Sequence, residues 1–128
     1  IPGESNVSLY HHILVVEDND VNLALILEML GLHKHKISVA RNGKEAIEVA
    51  QAQKPEIILM DIHMPVMNGI EAVREMRKLP TTAKIPIIAL TASVDEDNKN
   101  LCLEAGFSEH LTKPITIESL FSTLNRFF

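Results

Sequence analysis

Glu17, Asp18 and Asp20 follow directly on the apolar pair Val15-Val16 in the stretch VVEDNDVN, residues 15 to 22. Carboxylates held this close raise one another's pKa and cost stability unless a cation sits among them. The stretch is therefore either a solvated turn or half of a metal site. Further along the chain, other apolar runs also close on polar residues: Asp61, then Thr91-Ala92-Ser93, then Thr112-Lys113-Pro114. A carboxylate beside a divalent cation, faced by a hydroxyl and an ammonium, is equipped to accept a phosphoryl group. The cation and the ammonium neutralise the phosphoryl oxygens, the hydroxyl donates to one of them, and the carboxylate serves as nucleophile. Whether these residues meet depends on the elements that carry them.

Short apolar runs alternate with longer amphipathic ones. HILVV (12–16), ISVA (37–40), EIILM (56–60), PIIALT (86–91) and the weaker EHLT (109–112) read as strands. Three of them are continuous Ile- and Val-rich stretches, as expected of strands buried on both faces. Between them, VNLALILEML (21–30), GKEAIEVAQAQ (43–53), GIEAVREMRKL (69–79) and VDEDNKNLCLEA (94–105) read as helices. A last helix, 117–128, places Ile117, Leu120, Phe121 and Leu124 at helical spacing. Gly31 and Gly106 suit helix C-termini, Asn42 or Gly43, Asn68 and Thr116 suit N-termini, and Pro55, Pro80, Pro86 and Pro114 fall at boundaries.

Strict alternation of five strand–helix units predicts an α/β fold, a parallel sheet with helices on both faces. The second and fifth strands are the least apolar and are expected at the edges, which favours the doubly wound, flavodoxin-like order 2-1-3-4-5. In such a sheet ligands bind beyond the C-terminal ends of the strands. The first and third strands are then neighbours, so Glu17, Asp18 and Asp61 converge. An all-oxygen site with few protein ligands suits Mg²⁺. Thr91 and Lys113 face it from the fourth and fifth strands. Asp61, central among the acids, is the expected nucleophile.

Composition excludes several classes. A 128-residue chain suits one domain, and 46% hydrophobic with 23% charged residues is ordinary for a globular protein. A formal net charge of −5 argues against nucleic-acid binding, which calls for a basic face. The single cysteine, Cys102, permits neither an internal disulfide nor a cysteine-based zinc site, pointing to a reducing compartment. Its neighbours Leu101 and Leu103 suggest a buried thiol. No apolar run approaches the ~20 residues needed to span a bilayer, and residues 1–12 do not read as a signal peptide. The chain begins with Ile rather than Met, which suggests an excised fragment with residues 1–11 as linker or tail and 12–128 as the domain.

The set VVEDN at 15–19, MDIHMPVMNG at 60–69, LTAS at 90–93 and LTKP at 111–114 closely resembles the receiver domain of two-component response regulators. The match covers about residues 12–128, and four motifs agree in order and spacing. The strand order is in part precedent, since a chemotaxis member of this family has it. The resemblance implies that Asp61 accepts phosphate from the phosphohistidine of a histidine kinase or a histidine phosphotransfer domain. It implies that Asp18 and Asp61 ligate Mg²⁺ with the main-chain carbonyl of His63, while Glu17 acts through water. Thr91 and Lys113 would contact the phosphoryl group, and Lys113-Pro114 would carry a cis peptide bond. His63 and Ser93, two residues beyond the acceptor and two beyond Thr91, would flank the hydrolytic water and set the lifetime of the phosphoryl group. Receivers usually place Tyr or Phe shortly before the lysine, as a switch partner to the threonine. Here His110 stands there, and Asn68 stands where Asp is common. VEDN-x-x-N and DIHMPVMNG look most like receivers attached to hybrid sensor kinases. Such a domain is expected to be cytoplasmic, with no membrane contact of its own, and to catalyse its own Mg²⁺-dependent phosphorylation and dephosphorylation.

Other readings are weaker. A free-standing response regulator carries the same motifs. A flavodoxin-like redox carrier shares the sheet order but needs a hydroxyl- and glycine-rich first loop for its phosphate, whereas this loop is acidic. A degenerate receiver would lack one of Glu17, Asp18, Asp61, Thr91 or Lys113, and all are present. His33-Lys34-His35-Lys36 reads as a solvated turn, and the methionines as packing residues.

Overall fold

The computed structural model describes residues 11–31, 35–64, 66–92 and 96–127. Five strands alternate with five helices: β1 (His12–Val16), α1 (Asp20–Leu30), β2 (Lys36–Ala40), α2 (Gly43–Gln53), β3 (Ile57–Asp61), α3 (Gly69–Lys78), β4 (Ile87–Thr91), α4 (Glu96–Ala105), β5 (Glu109–Thr112) and α5 (Ile117–Phe127). The strands form one sheet in the order β2-β1-β3-β4-β5, and every pairing is parallel. β2 and β5 are the edges, as their weaker apolar character predicts.

The strand period of two sorts the core into two layers. Leu14, Val16, Ile58, Met60, Ile87 and Ala89 face one side, packed on Ala46 and Ala50 of α2, Ala72, Val73 and Met76 of α3, and Cys102 and Ala105 of α4. Ile13, Val15, Ile57, Leu59, Ile88 and Leu90 face the other, packed on Leu23, Ile26 and Leu30 of α1 and Leu120 and Leu124 of α5. β3 and β4 are buried along their whole length, which explains their uninterrupted apolar sequence.

The helix ends follow side-chain chemistry. Asn19, Asn42 and Asn68 each cap the helix that follows by accepting from a main-chain N–H, and Asn68 with Glu71 completes a capping box. Thr116 caps α5 by accepting from the Ser119 N–H at 3.1 Å. Gly106 ends α4 at φ 125°, where a Cβ would meet Cγ of Arg77 at 2.8 Å. Gly31 ends α1 in the right-handed region, and α2 instead closes on left-handed Lys54, whose role no local sequence signal marks.

Cys102 is buried as expected, and burial pushes its thiol pKa up. The reason given from its neighbours does not hold, because Leu101 and Leu103 are 42% and 49% exposed. Successive helical residues point about 100° apart, so a buried position needs no buried neighbours.

Arg77 ties two connections at the N-terminal rim of the sheet. Its guanidinium donates to the carbonyls of Thr82, Ala83 and Ile85 before β4 and to that of Gly106 before β5. Thr82, itself buried, donates through Oγ1 to the Met76 carbonyl.

Candidate functional site

Register builds the site. Val16 of β1 pairs with Met60 of β3, so the next residues on each strand, Glu17 and Asp61, leave the sheet side by side. Asp61 pairs with Leu90, and Thr91 with Thr112, so Thr91 and Lys113 rise at the same rim. Ligand oxygens of Glu17, Asp18 and Asp61 all lie within 4.8 Å of one another. Among the described residues no other such group of His, Cys, Asp or Glu occurs. Lys113 Nζ stands 3.2 Å from Asp61 Oδ1 and 3.4 Å from Glu17 Oε2. The Lys113-Pro114 bond is cis.

Burial makes this cluster electrostatically tense. Glu17 is fully buried and Asp61 is 4% exposed, while Asp18 is half-buried. The Glu17 pKa is pushed up to about 7 by burial first, then by the charge of Asp61 and the hydrogen bond between the two carboxyls. The Asn19 N–H, which donates to Glu17 Oε1 at 3.2 Å, and the Lys113 ammonium offset part of this. Glu17 therefore keeps a proton well above the usual carboxylate range unless a cation joins the cluster. All-oxygen donors with this spacing fit a small hard divalent cation.

The remaining residues fall in differing positions. Thr91 is buried at the end of β4, and the Lys113 N–H donates to its carbonyl at 2.7 Å. His63 is exposed in the loop after β3, and its N–H donates to Asp61 Oδ1 at 3.3 Å. His110 lies half-buried on β5, with Nδ1 3.5 Å from Glu109 Oε1. Ser93 and residues 1–10, like His33 and Lys34, lie outside the described residues.

Some supporting residues were not anticipated. Gly69 opens α3 so close to the end of β3 that a Cβ there would meet the Asp61 carbonyl at 2.5 Å. A Cβ on Gly43 would likewise meet the Met67 carbonyl at 2.5 Å. Arg41, just past β2, donates to the Asp18 carbonyl at 2.9 Å and to Asp20. Its position one residue beyond Ala40, the partner of Val16, is the signal that could have found it.

The response regulator receiver domain model matches residues 13–125. The chain belongs to this family. As a receiver it is 43% identical over 119 residues to hybrid signal transduction histidine kinase M of Dictyostelium discoideum, covering 89% of this chain but 5% of that protein. It is 36% identical over 113 residues to protein PilH of Pseudomonas aeruginosa, covering 88% of this chain and 93% of that one. Relatives of this receiver thus include both a long hybrid kinase and a protein little larger than the domain. Among solved structures, the receiver domain of sensor histidine kinase PA1611 from Pseudomonas aeruginosa, with a magnesium ion coordinated in its active-site cleft, aligns with a TM-score of 0.85 at 37% identity, covering 91% of this chain and 96% of that one. Among the described residues no helix is long and apolar enough to cross a membrane.

Proposed function

We propose that the domain takes a phosphoryl group from a phosphohistidine onto Asp61 and passes the signal on through changed partner contacts. The observation that carries this reading is the Lys113 ammonium 3.2 Å from Asp61 within a cluster of three acids, two of them buried. The magnesium held by the related PA1611 receiver supports Mg²⁺ as the cation. Asp18, Asp61 and the His63 main-chain carbonyl would hold it directly and Glu17 through water. When bound, it supplies positive charge to the phosphoryl oxygens and stabilises charge developing on them.

An Asp61 oxygen attacks phosphorus in line, forming the P–O bond as the N–P bond to the donor imidazole breaks. The departing imidazole keeps that electron pair, and the nitrogen takes any proton it needs from solvent. Lys113 and the Thr91 hydroxyl stabilise the transferred oxygens, and burial keeps bulk water from competing. Attack of water on phosphorus reverses the modification, releasing inorganic phosphate and restoring the carboxylate. His63, two residues beyond Asp61, sets the access of that water. His110, at the switch position, responds to movement of Thr91.

The donor is a histidine kinase or a histidine phosphotransfer domain, and the parent protein is a hybrid sensor kinase whose receiver is residues 12–128, preceded by a linker. The 43% identity to a hybrid kinase and the VEDN-x-x-N and DIHMPVMNG motifs support that architecture. The 93% coverage of PilH favours, as a second reading, a free-standing regulator. Either would place the domain in the cytoplasm. Incubation with acetyl phosphate and Mg²⁺ should add one phosphoryl group that hydroxylamine removes. Undiminished labelling of Asp61→Asn would sink the assignment.

A further inference from the structure

We propose that Arg41 is a positioning residue for the cation site, acting through the main chain of Asp18. The inference rests on the reading of Glu17, Asp18 and Asp61 as a Mg²⁺ site.

The mount of Arg41 is rigid on both sides. Ala40 is buried and paired with Val16, and its carbonyl accepts from the Glu17 N–H at 3.1 Å. Asn42 caps α2 by accepting from the Glu45 N–H at 2.9 Å. From between them the Arg41 side chain crosses to the β1–α1 loop, where Nη2 donates to the Asp18 carbonyl at 2.9 Å and to the Asp20 carboxylate. One guanidinium nitrogen carries two hydrogens, so both bonds are satisfied together. They bracket Asn19, whose N–H holds Glu17 Oε1 and whose side chain caps α1. The loop that offers Glu17 and Asp18 is thus pinned to the neighbouring strand, and Asp20 is held out of the acidic cluster, which contains Glu17, Asp18 and Asp61 only.

Two effects of Arg41 on a cation oppose each other. Its positive charge repels Mg²⁺, while its grip on the loop presets the Asp18 carboxylate. The charge is paired with Asp20 and 40% exposed to screening solvent, so it is weakly felt. Preorganisation wins, as it does for outer-shell partners that orient metal ligands. The two effects predict opposite signs on removal, and that separates them.

The test is Mg²⁺ titration of the purified chain by calorimetry, with melting measured in parallel without metal. Arg41→Ala should weaken Mg²⁺ binding about tenfold, Arg41→Lys should recover part of it, and Asp20→Asn should stay near the parent because the Asp18 carbonyl bond survives. In acetyl phosphate labelling, Arg41→Ala should need more Mg²⁺ for half-maximal rate while keeping the rate at saturation. Unchanged or tighter Mg²⁺ binding by Arg41→Ala, alongside a lowered metal-free melting point, would overturn the inference and leave the proposed function standing. A parent that binds no Mg²⁺ would remove both.

Discussion

The Glu17 carboxyl meets the Asp61 carboxyl across the seam between β1 and β3, and burial together with that meeting pushes its pKa up to about 7. In the unfolded chain the same group sits at its ordinary carboxylate value near 4.5. Between these values the folded state binds the proton that the unfolded state has lost. The stability contributed by this group is complete below about pH 4.5 and is lost as pH rises through about 7. Urea denaturation of the metal-free protein at a series of pH values should therefore show the Glu17 contribution falling from about pH 5 to about pH 8. Glu17→Gln should flatten that fall. Apparent Mg²⁺ affinity should rise over the same window, because the cation and the proton compete.

Asp61→Asn removes one acid from the cluster and leaves Lys113 paired with Glu17 at 3.4 Å. The relief of repulsion outweighs the lost ion pair, so the metal-free variant should melt a few degrees above the parent and gain less from Mg²⁺. Asp18→Asn should behave in the same direction. A melting point that falls in both would contradict a strained acidic pocket.

Lys113→Ala takes away the ammonium that two carboxylates share. The domain should remain folded, since its layers do not depend on this side chain. Phosphorylation by acetyl phosphate should slow by about 10²-fold, the scale of losing one fixed transition-state charge partner. A labelling rate within a factor of about two of the parent would refute the role.

Gly69→Ala drives a Cβ to 2.5 Å from the Asp61 carbonyl and 2.9 Å from the Ile62 Cα. Backbone cannot swing aside as a side chain can, so the cost should be about 1–3 kcal/mol or more. The urea midpoint should drop, and Mg²⁺ binding should weaken with it because the displaced atom belongs to Asp61, a member of the acidic cluster.

His63→Ala should change the decay rate of the phosphorylated domain without altering its melting point, since His63 is exposed. His110 is the residue proposed to respond to Thr91. Glu109 receives both its N–H, at 3.0 Å, and the Arg126 guanidinium of α5, at 2.9 Å. Structures with and without beryllofluoride should differ in the His110 rotamer. An unchanged rotamer, with normal partner binding by His110→Ala, would rule the switch out.

The strands, their order and the convergence of Glu17, Asp18, Asp61, Thr91 and Lys113 were legible in the sequence because each rests on a pattern of residue types along one segment. Uninterrupted apolar runs marked β3 and β4, and polar residues at their ends marked the rim. What escaped depends on contacts between segments. Nothing local to Arg41 says that it reaches Asp18, and nothing local to Gly69 says that a carbonyl lies over it. Nothing local to Arg77 says that it serves carbonyls from two separate connections. The Cys102 reading succeeded for a faulty reason, because adjacency in sequence is not adjacency on a helix.

The rim is assembled from β1, β3, β4 and the residue after β5, and this sets an order of events during synthesis. Glu17 and Asp18 leave the ribosome first, Asp61 next, and the ammonium that serves the acids last. A nascent chain that stopped short of Lys113 would hold the acids without that ammonium and, if it ended before β5, would leave β4 without its partner. The rim is therefore complete only once the chain has been made as far as Lys113.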